Sequence, residues 1–149
     1  MPVAAAEKSL RLLLRFWIIA FTSATLVFFL FEPQLLDQFN ALSRTVFPNL
    51  PLIPVPTETP SFWVPLVGSL MVTLIAICWW VQGGVRDRLI GANVLLLSKF
   101  LSSLFFFLLF AFESRYIAYL ASSAVDGSIF LVTFYFVRRL RQALSQGRG

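Results

Sequence analysis

The chain has no histidine, and Cys78 is its one cysteine among 149 residues. These absences exclude bis-histidine haem ligation, a histidine-rich di-iron cluster, a Ser-His-Asp triad and any intramolecular disulfide. Charge is also scarce, at 13% of residues, and glycine occupies only seven positions. No phosphate-binding loop or dinucleotide fingerprint occurs, and Gly83–Gly84 reads as punctuation at a helix end. What abounds is apolar: 58% of residues are hydrophobic and 17 are phenylalanine. Soluble domains carry roughly 45–50% apolar residues, and a soluble protein this small needs a polar exterior. The composition therefore excludes disorder, a nucleic-acid-binding tail and an ordinary soluble domain. The expected fold class is all-α, a single integral-membrane domain covering residues 1–149.

A helix needs about 20 apolar residues to cross the hydrocarbon core. Four runs qualify, at about residues 12–31, 62–82, 89–112 and 116–137. They are too long, and alternate too little, to be barrel strands. The first run is also too long for the apolar region of a cleaved signal peptide, so a retained helix is expected. Arg15 lies close enough to its start to snorkel towards water. Trp17, Trp79 and Trp80 fall near one expected boundary and Trp63 near the other, as interfacial aromatics do.

The cations indicate orientation. Lys8, Arg11, Arg15, Arg86, Arg88, Arg138, Arg139, Arg141 and Arg148 fall on one side, Arg44 and Arg115 on the other, and Lys99 within a span. The positive-inside rule then places both termini, the Gly83–Arg88 turn and a basic tail at 138–149 in the cytoplasm. The expected location is a cell membrane, the inner one in a bacterium. Glu32, Asp37, Glu58 and Glu113 gather on the opposite side. The net charge of +5 thus reads as a topology signal. The arginines that follow the last span suit anionic lipid better than nucleic acid.

The external connection, residues 32–61, has two parts. Leu35, Phe39, Leu42 and Val46 recur at helical spacing, which predicts an amphipathic stretch along the outer interface, as a short helix. Pro48, Pro51, Pro54, Pro56 and Pro60 follow, five of the chain's eight prolines, so this part should be extended. As a functional element the segment would be a docking arm for a partner subunit, or a lid over the bundle. As a purely structural one it would be a stiff strap across the bundle mouth, the simpler reading of a connection this long.

Lys99 and Asp126 are the most informative residues. Each lies ten residues into its span, about 15 Å deep at 1.5 Å per residue, close to the midplane. In an antiparallel hairpin turning at Glu113–Arg115 they should stand at equal height on adjacent helices. An isolated charge at mid-span costs about 2.5–3.5 kcal/mol on insertion scales, so pairing is expected. Such a pair serves either as a structural pin or as an ion, proton or ligand site, and the pin is the preferred reading. Ser103, Ala118, Ser122, Ser123 and Gly127 line the same hairpin at small-residue spacings that let backbones approach. Asn93 is expected to make an interhelical hydrogen bond.

Enzyme chemistry finds little support. A Ser–Lys dyad drawn from Ser98, Ser102, Ser103 and Lys99 needs an uncharged amine, which a neighbouring aspartate opposes. The external carboxylates have no spacing that fixes them around a substrate. Cys78 reads as a small core residue. No metal site, cofactor or catalytic residue is implied. The four-span architecture alone is similar to several small bacterial membrane families, the DoxX-like group among them, and carries over no activity or residue. The expected function is that of a non-enzymatic accessory or assembly subunit in contact with membrane lipids and other membrane-protein subunits. The alternative is a small transporter or hydrophobic-ligand carrier that uses Lys99 and Asp126.

Overall fold

The computed structural model describes residues 2–56, 61 and 63–146. Glu58, Pro60, Arg148 and the Trp63 side chain, all named above, lie outside the described residues. Four helices follow one another: α1 (Val3–Val46), α2 (Trp63–Gln82), α3 (Leu89–Leu108) and α4 (Ile117–Gln146). No strand occurs among the described residues. Each helix is long and apolar enough to cross a membrane.

At 44 residues α1 would extend about 66 Å if straight, twice the thickness of a hydrocarbon core. It bends instead at Phe31, whose φ of −135° and ψ of 27° leave the helical region. The cause is Pro33, which lacks an N–H and whose ring would strike the carbonyl of Phe29 in an unbroken helix. Beyond the bend Pro33 sits in the first turn of a new helical segment, where a missing N–H costs little. The expected amphipathic helix is therefore present at residues 32–46, continuous with the first span. Residues 51–56 then run without regular structure, as their prolines predict.

The second connection is a tight turn, Gly83–Arg88. Arg88 folds back over the end of α2, where its Nη1 donates to the Trp80 carbonyl at 2.6 Å and its guanidinium lies over the Trp80 ring. The Trp80 carbonyl also accepts the Gly83 N–H at 3.3 Å, so the cation adds a second donor at the helix end, where positive charge is favoured. At the opposite end α3 widens into a π-helical turn, Leu109–Glu113, closed by the Ser114 N–H on the Leu109 carbonyl at 3.0 Å.

In the bundle α1 packs on α2 and α4, and α3 packs on the same two helices. Sequence neighbours are thus spatial neighbours around a ring, the arrangement of an up-and-down four-helix bundle. One buried stripe on each helix fills the ring: Leu10, Leu14 and Phe21 on α1, Cys78 and Val81 on α2, Leu95 on α3, Val137 and Leu140 on α4. Most of this core lies on the Gly83–Arg88 side of Lys99 and Asp126. On the other side, among the described residues, only Val64, Ile117 and Ala118 join the buried apolar set. The remaining exterior is apolar, with Ile19, Leu30, Ile90, Phe105 and Leu131 exposed and Phe112 84% exposed. Apolar patches of that extent do not face water in soluble monomers.

Two helices extend past the apolar runs, and one expectation changes. The basic tail after residue 137 is helical to Gln146, because Leu140 and Ala143 continue the buried stripe of Val137 at helical spacing. Likewise α1 starts at Val3 rather than near residue 12, with Ala6 and Leu10 buried ahead of Leu14. In both segments arginines and lysines on the outer face obscure an inner apolar stripe. Trp17 is buried rather than interfacial, and its Nε1 donates to Thr133 Oγ1 of α4 at 3.0 Å. Trp79 and Trp80 are exposed.

Candidate functional site

The α3–α4 hairpin brings Lys99 and Asp126 together, with Nζ 2.8 Å from Oδ1. The two side chains are 4% and 13% exposed. Ser102, one turn on from Lys99, donates its hydroxyl hydrogen to the other carboxylate oxygen, Oδ2. The ammonium also lies 5.0 Å from the centre of the Phe21 ring of α1, within range of a cation–π contact. Both carboxylate oxygens are thus occupied, and the cation is held by a carboxylate on one side and an aromatic face on another. In a weakly screening surround this mutual satisfaction offsets the desolvation of both charges, whereas either alone would be left uncompensated.

Beside the pair, Ser103 and Ser123 exchange bonds between helices. Ser103 Oγ donates to the Ser123 carbonyl at 2.8 Å, and Ser123 Oγ donates to the Ser103 carbonyl at 2.9 Å. Gly127 lies so close that an added Cβ would stand 3.0 Å from Ser103 Oγ. Ala118 is buried further along the same helix, while Ser122 is half-buried and takes no part in the exchange. Close approach and hydroxyl pairing thus coincide around the ion pair, as small residues between membrane helices allow.

The arrangement does not suit acyl transfer. Ser102 bonds the carboxylate and Ser103 bonds α4 backbone, so neither hydroxyl is presented to the Lys99 amine. Cys78 is fully buried, and no cluster of metal-ligating side chains occurs among the described residues. Two surface cavities lie elsewhere, both on α1. One, of about 410 Å³, is lined by Ala4, Glu7, Lys8, Arg11, Leu12 and Arg15. The other, of about 240 Å³, lies beside the bend at Phe31.

The amphipathic segment is oriented differently from the sequence expectation. Its fully buried residues are Asn40 and Ser43, whereas Leu42 is 47% and Val46 52% exposed, with Leu35 and Phe39 half-buried between. Asn40 Nδ2 donates to the Ile53 carbonyl at 2.9 Å, and the Ile53 N–H donates to Asn40 Oδ1 at 2.8 Å. An amide can satisfy both backbone groups of one residue, so Asn40 turns inward against the proline strap while Asp37, Gln38 and Arg44 stay exposed. Glu32 ties the far end of the strap, accepting from the Ser61 N–H at 3.1 Å and the Ser61 hydroxyl at 2.5 Å. Sequence reasoning missed both ties, because it weighed the apolar positions of this stretch and treated its polar ones as solvated. Asn93 does accept an interhelical bond, from Arg141 Nη2 at 2.6 Å.

Comparison with protein-family models, with curated proteins and with solved structures finds no match to this chain.

Proposed function

We propose that this chain is a multi-pass protein of a cell membrane with four spans and both ends cytoplasmic. In this reading it serves as a non-enzymatic accessory or assembly subunit of a larger membrane complex, in contact with lipids and with other subunits but not with nucleic acid. The observation that carries it is the closed state of the polar centre. Lys99, Asp126 and Ser102 satisfy one another, and the two cavities on α1 lie away from them. A transporter or hydrophobic-ligand carrier, the rival reading, needs space beside its polar groups. A pin that sets the register of α3 on α4 needs none. The exposed apolar faces of the helices would be covered by lipid and partner helices, and Leu42 and Val46 would form the outermost part of the partner surface with Leu35 and Phe39.

Copurification in mild detergent tests the reading. The chain should carry a partner subunit at fixed stoichiometry. Leu42→Ser with Val46→Ser should release that partner while insertion and helix content remain unchanged. Recovery of the chain alone from native membranes would favour a free-standing carrier.

A further inference from the structure

The larger surface cavity is a basic groove on one helix. Lys8, Arg11 and Arg15 line it with one carboxylate, Glu7, so cations outnumber acids three to one. Spacings of three and four residues put these cations on a single face of α1, and all three are exposed. Like charges brought together on one helix repel each other, so the groove is electrostatically complementary to an anion.

Of the other described cations at this end of the bundle, exposed Arg86 and Arg138 have no protein partner among the described residues, and the rest are engaged. Arg88 is held on the Trp80 carbonyl, Arg141 on Asn93, and Arg139 lies over the Tyr135 ring. Among the described residues Lys8 and Arg11 make no hydrogen bond or ion pair with protein. Arg15 is aimed rather than occupied, because its Nε donates to Gln82 Oε1 of α2 at 3.2 Å. That bond uses the inner edge of the guanidinium and leaves its two terminal nitrogens for a fork-like grip on a phosphate.

Leu12 lines the same groove, and Phe16, Ile19 and Leu26 continue from it as exposed apolar residues of α1. From Arg15 to Leu26 the helix rises about 16 Å, comparable to one leaflet of a hydrocarbon core about 30 Å thick. A cationic groove that opens onto an apolar ribbon of this length matches a ligand with an anionic head and an acyl tail. We infer that this face of α1 binds an anionic glycerophospholipid, with the phosphate between Lys8, Arg11 and Arg15 and an acyl chain along Leu12, Phe16 and Ile19. The inference rests on the membrane reading above. A free phosphate would use the cations but have no use for the ribbon.

The test uses the full chain in phosphatidylcholine nanodiscs containing a minor fraction of phosphatidylglycerol. Native mass spectrometry then counts the lipids that stay bound. Retained phosphatidylglycerol should exceed its bulk share, and Lys8→Gln with Arg11→Gln should reduce that enrichment about tenfold or more. Arg44→Gln with Arg115→Gln, two exposed cations at the other end of the bundle, should leave it intact. Retention at the bulk ratio would overturn the proposal. So would equal losses in the two double variants, which would mean diffuse surface charge, or displacement by millimolar inorganic phosphate, which would mean a soluble anion. Failure of the chain to enter nanodiscs would instead overturn the membrane reading, and circular dichroism of each variant separates a binding defect from a folding one.

Discussion

The side-chain amide of Asn40 pairs with the backbone of Ile53 through two hydrogen bonds, one in each direction, at 2.9 and 2.8 Å. The effect is to dock an otherwise irregular, proline-rich segment onto the outer part of α1. Prolines stiffen the strap but remove backbone donors from it, so few groups remain that can anchor it. Ile53 still has its N–H, and Asn40 is buried where it can meet both that donor and the adjacent carbonyl.

Asn40→Ala removes both bonds and leaves the Ile53 backbone groups to find water. Stranding buried polar groups costs about 1–3 kcal/mol, which corresponds to strap opening about 5- to 150-fold more often. Hydrogen exchange at the Ile53 amide should speed up by that order, while amides of the buried stripe on α3 stay protected. Unchanged exchange at Ile53 would mean that packing of the strap, not Asn40, holds it in place.

Lys99→Leu and Asp126→Leu should each reduce the amount of folded protein, since removing one member of a buried pair typically costs about 3–5 kcal/mol. The double change to leucine should recover it, because an apolar pair needs no desolvation. Ser102 then loses its acceptor, but a serine in a helix can turn its hydroxyl to the carbonyl four residues back. Recovery of folding together with full assembly into a complex supports a structural pin. Recovery of folding with loss of activity or assembly would make the charges working parts of a site. Measurement of the monodisperse fraction in detergent, alongside copurification, separates these outcomes.

Gly91 marks the closest approach of α3 to the end of α2. An added Cβ would meet Val81 Cγ2 at 2.6 Å and the Trp80 ring at 2.9 Å. Exposed Trp80 can swing away, but Val81 is fully buried and has nowhere to move. Gly91→Ala should therefore destabilise the protein by about 1–3 kcal/mol, as at other overpacked sites, which is read as a lower unfolding midpoint in detergent. Adding Val81→Ala should cost less than the two single changes summed, because the second substitution removes the clashing methyl. Strict additivity would show that the helices move apart at no cost.

Orientation is testable by cysteine labelling, and Cys78, being fully buried, can be replaced by alanine for a cysteine-free background. Nine cations on one side against two on the other predict that both ends are cytoplasmic. A cysteine placed at Asn49 should react with an impermeant maleimide in intact cells, and one at Gln146 only after permeabilisation. Both positions are exposed, so burial cannot mask the result. External labelling at Gln146 would invert the topology.

The sequence by itself determined the number of helices, their apolar character and the height at which Lys99 and Asp126 sit. These follow from local quantities: hydropathy summed over about 20 residues, a fixed rise per residue, and turns marked by Gly83–Gly84 and by Glu113–Arg115. The bend was latent in Pro33, and the extended strap in the prolines after it. Only the tertiary structure decided which face of each helix turns inward. That depends on what stands opposite, and an apolar exterior removes the usual contrast between buried apolar and exposed polar faces. In such a chain hydrogen-bonding partners become the stronger constraint on rotation. Asn40 therefore turns to Ile53 and leaves Leu42 and Val46 exposed, and Trp17 leaves the boundary to reach Thr133. The helical ends beyond Val137 and before Leu12 belong to the same class. Their inner stripes of Leu140, Ala143, Ala6 and Leu10 acquire meaning only when the neighbouring helix supplies the other half of the core.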